Sequence, residues 1–186
     1  YTPHWYVDAD HGDDKNSGFT AKSAKKTLKG VMDLGASLYD GDTVHAAEGV
    51  YSNLWMTYSK DTTIRTRVVV AARVALVADG RREATVIEGE DATTPDALGC
   101  GSDAMRCVAL SDRSSISGFT LRGGRTGFDS ADYNSFGGGV AKGTSGDAVV
   151  RDCIITNCCA SRGGGAYGFL KCVNCFFVDN RVSYGR

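Results

Sequence analysis

Val150-Arg151-Asp152-Cys153-Ile154-Ile155-Thr156-Asn157 is matched by a second stretch, Cys172-Val173-Asn174-Cys175-Phe176-Phe177-Val178-Asp179-Asn180. At an offset of 22 residues, Cys153 falls on Cys175, Asp152 on Asn174, Ile154 and Ile155 on Phe176 and Phe177, and Ala148 on Leu170. One glycine triplet, Gly137 to Gly139, precedes the first copy, and another, Gly163 to Gly165, lies between the two. Periods of this size mark repeat architectures, whose units bury an apolar face only by stacking on their neighbours. A leucine-rich repeat would need Leu at fixed positions and often a helical return, whereas these units are rich in Val, Ile, Phe, Thr, Cys and Gly, the residues of short strands and turns. One coil of a parallel β-helix takes about 20 to 25 residues and sets each strand about 4.8 Å from its equivalent. Like side chains then stack, Cys on Cys and Ile on Phe, so the expected fold is all-β, a parallel β-helix solenoid.

Working outward, strand signals recur at Tyr1 to Val7, Thr43 to Ala47, Val68 to Ala71, Val74 to Ala78, Thr85 to Ile87, Cys107 to Leu110 and Ser115 to Leu121, with Asp40-Gly41, Asp79-Gly80 and Gly123-Gly124 as turns. In the first strand Trp5 and Val7 share one side and Tyr6 takes the other. The near-continuous run Val68-Val69-Val70 reads as a strand covered on both faces or lying under a loop. Leu28, Val31 and Met32 fall at helical spacing, which predicts a short amphipathic helix from Ser23, its cap, to about Leu34. An open first coil would expose core and strand edges, so this helix is expected to be an amino-terminal lid. Residues 1–186 thus read as one domain, with strand, acidic loop and capping helix in 1–40 and coils in 41–186. The final residues Tyr184-Gly185-Arg186 stop where another glycine triplet is due, and the expectation is a β-helix truncated at this end or one covered by another chain. Three longer insertions, Ser52 to Arg65, Gly89 to Arg106 and Arg125 to Phe136, project from turns and are the first places to look for a ligand.

Composition narrows the function. Twenty-four glycines and two prolines suit turns joined by unbroken ladders, and a formal charge of −1 without a long basic run argues against nucleic acid. No apolar run approaches the ~18 residues of a membrane span, and no signal peptide opens the chain, which is read as a mature chain or an excised piece. Seven cysteines are many for a reducing compartment, and an odd number leaves at least one unpaired. Cys100 and Cys107 can close a small disulfide loop in an oxidising compartment, and Cys153 and Cys175 are further candidates through their stacking. The single Cys172-x-x-Cys175 pair is read as two positions of one coil rather than as a redox or metal site.

The segment Ser115-Ile116-Ser117-Gly118-Phe119-Thr120-Leu121-Arg122-Gly123-Gly124, followed by the glycine triplet and Asp152-Cys153-Ile154-Ile155-Thr156-Asn157, resembles the right-handed parallel β-helix proteins of the pectate-lyase-like superfamily. The similarity is greatest to a secreted bacterial surface group with GGG and C-x-I-x-x-N repeats, and it extends to the GGA and F-x-x-N repeats of polymorphic outer-membrane adhesins. At the amino-terminal end, Trp5-Tyr6-Val7-Asp8, Lys26-Thr27-Leu28, Gly41-Asp42-Thr43-Val44 and Glu48-Gly49-Val50-Tyr51 match that group's opening pattern in order. The resemblance implies right-handed coils and a secreted or cell-surface protein. It leaves activity open, because the fold hosts lyases, hydrolases, epimerases and adhesins.

Candidate chemistry is sparse. The Asp8 to Asn16 loop offers oxygen ligands for Ca²⁺ but lacks the distal Glu of a helix-loop-helix site, and a solvated turn is the preferred reading. Polysaccharide lyases on this scaffold use acidic Ca²⁺ ligands and a Lys or Arg base, for which Asp152, Lys171, Asp179, Arg122 and Arg181 are the candidates. Asp152 falls on Asn174 rather than on a second acid, so that position reads as structural, and no carboxylate pair of hydrolase type stands out. Asn157 and Asn180 recur with a one-residue offset as turn residues. Gly139 to Thr144 lacks the Gly-Lys-Ser/Thr order of a phosphate loop, and His4, His11 and His45 are scattered. The expected function is a non-catalytic module for adhesion, glycan binding or scaffolding, with no cofactor and no assigned catalytic or ligand-binding residue. The alternatives are the front part of a polysaccharide lyase or glycoside hydrolase, and a structural subunit that associates end to end.

Overall fold

The computed structural model describes residues 3–35, 38, 40–57, 65–127, 135–143 and 146–183. The chain opens with β1 (His4–Val7), a 3-10 turn at Ala21–Ser23 and helix α1 (Leu28–Met32), then continues through β2 (Thr43–Ala46), β3 (Gly49–Tyr51), β4 (Met56–Thr57) and β5 (Arg65–Val70). Next come β6 (Ala75–Ala78), β7 (Thr85–Glu88), β8 (Met105–Leu110), β9 (Ser115–Ser117), β10 (Thr120–Arg122) and β11 (Val140–Lys142). The last described strands are β12 (Ala148–Arg151), β13 (Ile154–Thr156), β14 (Cys159–Ala160), β15 (Ala166–Tyr167), β16 (Leu170–Val173), β17 (Phe176–Val178) and β18 (Arg181–Val182). From β6 onward the chain visits three sheets in rotation, ordered β1-β2-β6-β9-β12-β16, β3-β7-β10-β13-β17 and β4-β5-β8-β11-β15. Every pairing among these strands is parallel except the hairpin-like contact of β4 with β5, and β14 pairs with β18 alone. The architecture is all-β and β-helix-like.

The register makes the core. Ala148 lies beside Leu170 and Ile154 beside Phe176, each 22 positions on, as the alignment of the two stretches requires. Val44, Leu76, Ile116 and Val150 form one column across the first sheet, and Ile87, Leu121 and Ile155 another across the second, all with no solvent exposure. Burying each such side chain contributes about 1.5–3 kcal/mol. Earlier circuits are longer, 40 positions from Ala75 to Ser115 and 34 from Ser115 to Val149, yet the inward residues still superpose. The extra residues leave the ladder as loops.

Two corners fix the path between the sheets. At one, Gly118, Asp152 and Asn174 have φ of 80°, 53° and 52°; at the other, Gly123, Asn157 and Asp179 have 66°, 51° and 52°. Left-handed backbone at these three levels favours Gly, which has no side chain to clash, and Asn and Asp, whose short polar side chains tolerate it. Asn174 donates its side-chain amide to the carboxylate of Asp152. The counterpart of Asn157 is therefore Asp179, not the offset Asn180. Asn180 instead accepts from the Cys158 amide (3.1 Å) and donates to the Ile155 carbonyl (2.8 Å), bonding one circuit to the previous one. Gly118 also breaks the expected single strand from Ser115 to Leu121 into β9 and β10, in different sheets.

The glycine triplets lie one over the other: the Gly139 amide donates to the Gly164 carbonyl (3.1 Å) and the Val140 amide to that of Gly165 (2.9 Å). A Cβ on Gly138 would stand 2.4 Å from the Cys159 carbonyl oxygen and 2.7 Å from that of Gly124, so the close approach of successive backbones demands glycine. At the amino-terminal end α1 is shorter than the spacing predicts, and its cap is Thr27 rather than Ser23. The Thr27 hydroxyl accepts from the Gly30 amide (2.9 Å), and Ser23 closes a separate turn capped by Thr20. Leu28, Val31 and Met32 are buried against the core shared with β1 and β5.

Candidate functional site

The residue 89–106 insertion, the loop between β7 and β8 together with the first two residues of β8, is one of the three seen in the sequence, and it folds onto the face where β14 and β18 pair. Its fold depends on Asp96. One carboxylate oxygen of Asp96 accepts from the Leu98 amide (2.8 Å) and the Cys100 amide (2.9 Å), and the other accepts from the Ser183 hydroxyl. Burial alone would raise its pKa. The hydrogen bonds from Ser183, Cys100 and Leu98, with Arg125 nearby, outweigh burial and hold Asp96 below its usual 3.8. At the loop's other end the Thr93 hydroxyl donates to Asp103 at 2.6 Å.

Asp91, Asp96 and Gly99 from this loop face Arg125, Asn157, Cys158, Cys159, Asp179 and Arg181 across a groove of about 260 Å³. The opposite wall comes from the ladder. Arg125 bridges Cys159 in parallel register, Asn157 and Asp179 are stacked corner residues, and Arg181 opens β18. Arg125 is 8% exposed; it donates to the carbonyls of Asn157 and Gly124 and stands 3.1 Å from Asp91. That last contact is ionic and lies off the N–H direction, because Nε makes no aligned hydrogen bond. The groove therefore presents charges of both signs, with Asp96 and Arg125 held in place and Asp91, Asp179 and Arg181 exposed.

Of the residues proposed from lyase chemistry, the structure brings Asp179 and Arg181 together here and places the others elsewhere. Asp152 sits in the other corner stack, Lys171 is exposed on β16, and Arg122 binds Glu88 at 2.6 and 2.9 Å on the outer face of the second sheet. Asp91, Asp96 and Arg125 escaped notice because no local motif surrounds them. The length of the loop was the available signal. His4 and His45, scattered in sequence, meet on the first sheet's outer face: His4 Nδ1 lies 2.9 Å from His45 Nε2, and His45 Nδ1 lies 2.6 Å from Asp79. The acidic loop near the amino terminus uses its carboxylates locally. Asp8 accepts from the amides of Asp10 and His11, and Asp14 accepts from the amides of Lys26 and Thr27 and the Thr27 hydroxyl. Among the described residues no group of three or more His, Cys, Asp or Glu is arranged to hold a metal ion.

The disulfides expected from the sequence are not formed: the Cys107 thiol donates to the Arg122 carbonyl (3.3 Å) and the Cys153 thiol to that of Arg151 (3.1 Å). All seven cysteines are free thiols. Cys153 is pushed up to about 12, chiefly by burial. Among the described residues no helix is long and apolar enough to cross a membrane. A second concavity, of about 610 Å³ and lined by Lys29, Asp33, Leu54, Trp55, Met56 and Thr57, borders the insertion from Ser52 to Arg65, whose residues 58–64 lie outside the described set. The third insertion likewise has residues 128–134 outside that set.

No family model and no curated protein sequence matches the chain. Among solved structures it is similar to a GH136 lacto-N-biosidase from Eubacterium ramulus, in native and selenomethionine forms, with TM-scores of 0.50 and 0.51 and 16% identity. The superposition covers 95% of this chain and 34% of that enzyme, so the likeness concerns a fold shared over about a third of the longer protein.

Proposed function

We propose that this chain is part of a right-handed parallel β-helix solenoid, secreted or displayed at a cell surface, that binds a glycan chain in the groove beside the residue 89–106 loop without cleaving it. The observation that carries the proposal is the groove itself, where Asp91 and Asp96 of one loop meet Arg125 of one circuit and Asp179 and Arg181 of a later one. Its volume of about 260 Å³ lies just below the ~300–1,000 Å³ of pockets that enclose a whole small ligand, which suits one or two sugar units of a longer chain. Carboxylates and guanidinium groups meet sugar hydroxyls and uronate groups with charge-assisted hydrogen bonds.

Cleavage asks for more than binding. A glycosidase needs a carboxylic acid that holds its proton near neutral pH, so its pKa must be raised. Asp96 is shifted the opposite way, and Asp91 is engaged by Arg125. The test is retention on acidic and neutral polysaccharides, with and without Ca²⁺, read together with the release of reducing or unsaturated ends. Retention without new ends, falling roughly 10- to 100-fold in Arg181→Ala and Asp179→Asn, is the expected result. New ends abolished by Asp91→Asn or Asp179→Asn would establish the hydrolase or lyase alternative instead.

End-to-end association is a second reading, favoured by the outermost described strands. Phe177 on β17 continues the buried column of Ile155 yet is 49% exposed, and a stacked neighbour would cover it. Sedimentation that is independent of concentration would remove it.

A further inference from the structure

We infer that His4 and His45, on the outer face of the first sheet, form a two-imidazole site for a divalent transition-metal ion of the Ni²⁺ and Cu²⁺ class, with Asp79 as the residue that orients His45. The site follows from the alternation of strand side chains. Trp5 and Val7 of β1 are buried in the core, so His4 and Tyr6 point outward, and the parallel register lays Tyr6 beside His45 and His45 beside Val77. Asp79, two positions after Val77, returns to the same face. Residues 41 and 34 positions apart in the chain thus meet on three neighbouring strands.

Hydrogen bonding assigns the protons. The Asp79 carboxylate only accepts, so at 2.6 Å it takes the Nδ1–H of His45 and leaves the His45 Nε2 lone pair facing His4 Nδ1, which stands 2.9 Å away. Tyr6 stacks on the same ring, with centroids 5.1 Å apart and 19° between planes. His45 is therefore held by its edge and by its face. Its side chain is 20% exposed, whereas His4 is open to solvent. A carboxylate behind an imidazole is the general device that fixes the tautomer of a metal-binding histidine and raises its basicity.

Distance selects the metal. Two nitrogens bound at about 2.05 Å stand about 2.9 Å apart when their bonds are at right angles, and about 3.35 Å apart at the tetrahedral angle. The observed 2.9 Å fits neighbouring positions of a square-planar or tetragonal ion, the geometry of Ni²⁺ and Cu²⁺ with nitrogen and oxygen ligands, and is short for tetrahedral Zn²⁺. On binding, the His4 proton moves from Nδ1 to Nε2, where water accepts its hydrogen bond, and a turn of the exposed His4 ring aims both lone pairs at the ion. No proton is lost. Among the described residues no third His, Cys, Asp or Glu completes a metal cluster, so water fills the other positions. A bound ion ties the edge strand β1 to β2.

The test is calorimetric titration of the intact chain with NiCl₂, beside diethylpyrocarbonate labelling of its histidines mapped by mass spectrometry. The expected result is saturable binding of one Ni²⁺ that His4→Gln and His45→Gln each abolish and that Asp79→Ala weakens roughly 10- to 100-fold. Asp79→Asn, which still accepts the Nδ1–H, should recover part of that loss. In the unaltered chain Ni²⁺ should protect His4 and His45 from labelling and leave His11, whose side chain is 86% exposed, as reactive as before. Binding that persists in both histidine variants assigns the ion to other groups, such as the exposed Cys172 thiol, and overturns the inference. Labelling of His4 and His45 that Ni²⁺ leaves unchanged does the same, and an Asp79→Ala affinity equal to the parent's overturns the orienting role.

Discussion

Two stretches of the same ladder behave differently. From Ala148 to Leu170 the circuit takes 22 residues, and almost every position serves the ladder as an inward column, a left-handed corner or a glycine contact. From Ala75 to Ser115 the circuit takes 40, and the surplus is the residue 89–106 loop that builds one wall of the groove. The contrast teaches that in a stacked fold the strands determine where a loop stands, whereas the loop supplies the chemistry. The short circuit is a scaffold that tolerates little change. The long one carries side chains with freedom to specialise.

The sharpest way to break the contrast is to strike the short circuit where backbones touch. Gly138→Ala places a methyl group against three carbonyl oxygens, and it should cost at least about 3 kcal/mol or prevent folding, read by denaturant unfolding. Next, Ile155→Ala empties a fully buried column position and should cost about 2–5 kcal/mol, while Phe177→Ala, on the same column but 49% exposed, should cost less than half as much. Equal losses at the two positions would show that the outermost circuit is covered in solution.

The corners allow a finer discrimination. Asn157→Gly should leave stability within about 0.5 kcal/mol, and Asn157→Val should cost about 1–2 kcal/mol, because a β-branched residue resists φ of 51°. A pH-dependent effect belongs to the long circuit. Asp96 has its folded-state pKa below the usual 3.8, so its contribution to stability is complete above that value and is lost as pH falls through the folded pKa. Asp96→Asn should therefore cost about 1 kcal/mol at neutral pH and flatten the acid side of the stability curve below about pH 4, measured by urea unfolding from pH 2 to 7.

The legibility of the sequence follows the same division. Cys153 over Cys175 and Ile154 over Phe176 could be aligned because a parallel ladder repeats its demands at fixed intervals, and the pairing of Ala148 with Leu170 lies in the register so obtained. The stacked strands, the insertions and an amino-terminal helix were legible for the same reason. The cap of that helix was not, because Ser23 and Thr27 are equally good hydroxyl donors and acceptors, and only the position of Asp14 favours Thr27. The groove was legible only as a loop. Asp91, Arg125 and Arg181 lie up to 90 residues apart, and what unites them is the register of three circuits whose lengths differ.

The left-handed corners also act as a filter on substitution. Because only Gly, Asn and Asp enter that conformation cheaply, a corner residue can exchange a neutral side chain for a charged one without altering the path of the chain. Asp152 beside Asn174, and Asn157 beside Asp179, are two mixed steps of this kind. The two edges of the ladder are therefore rails whose charge can be rewritten at single levels where the stacked neighbour is not itself a carboxylate. One of them, carrying Asn157 and Asp179, borders the groove. A lineage could retune which polymer lies along that rail by swapping single amide and carboxylate groups, with the scaffold unaware of the change.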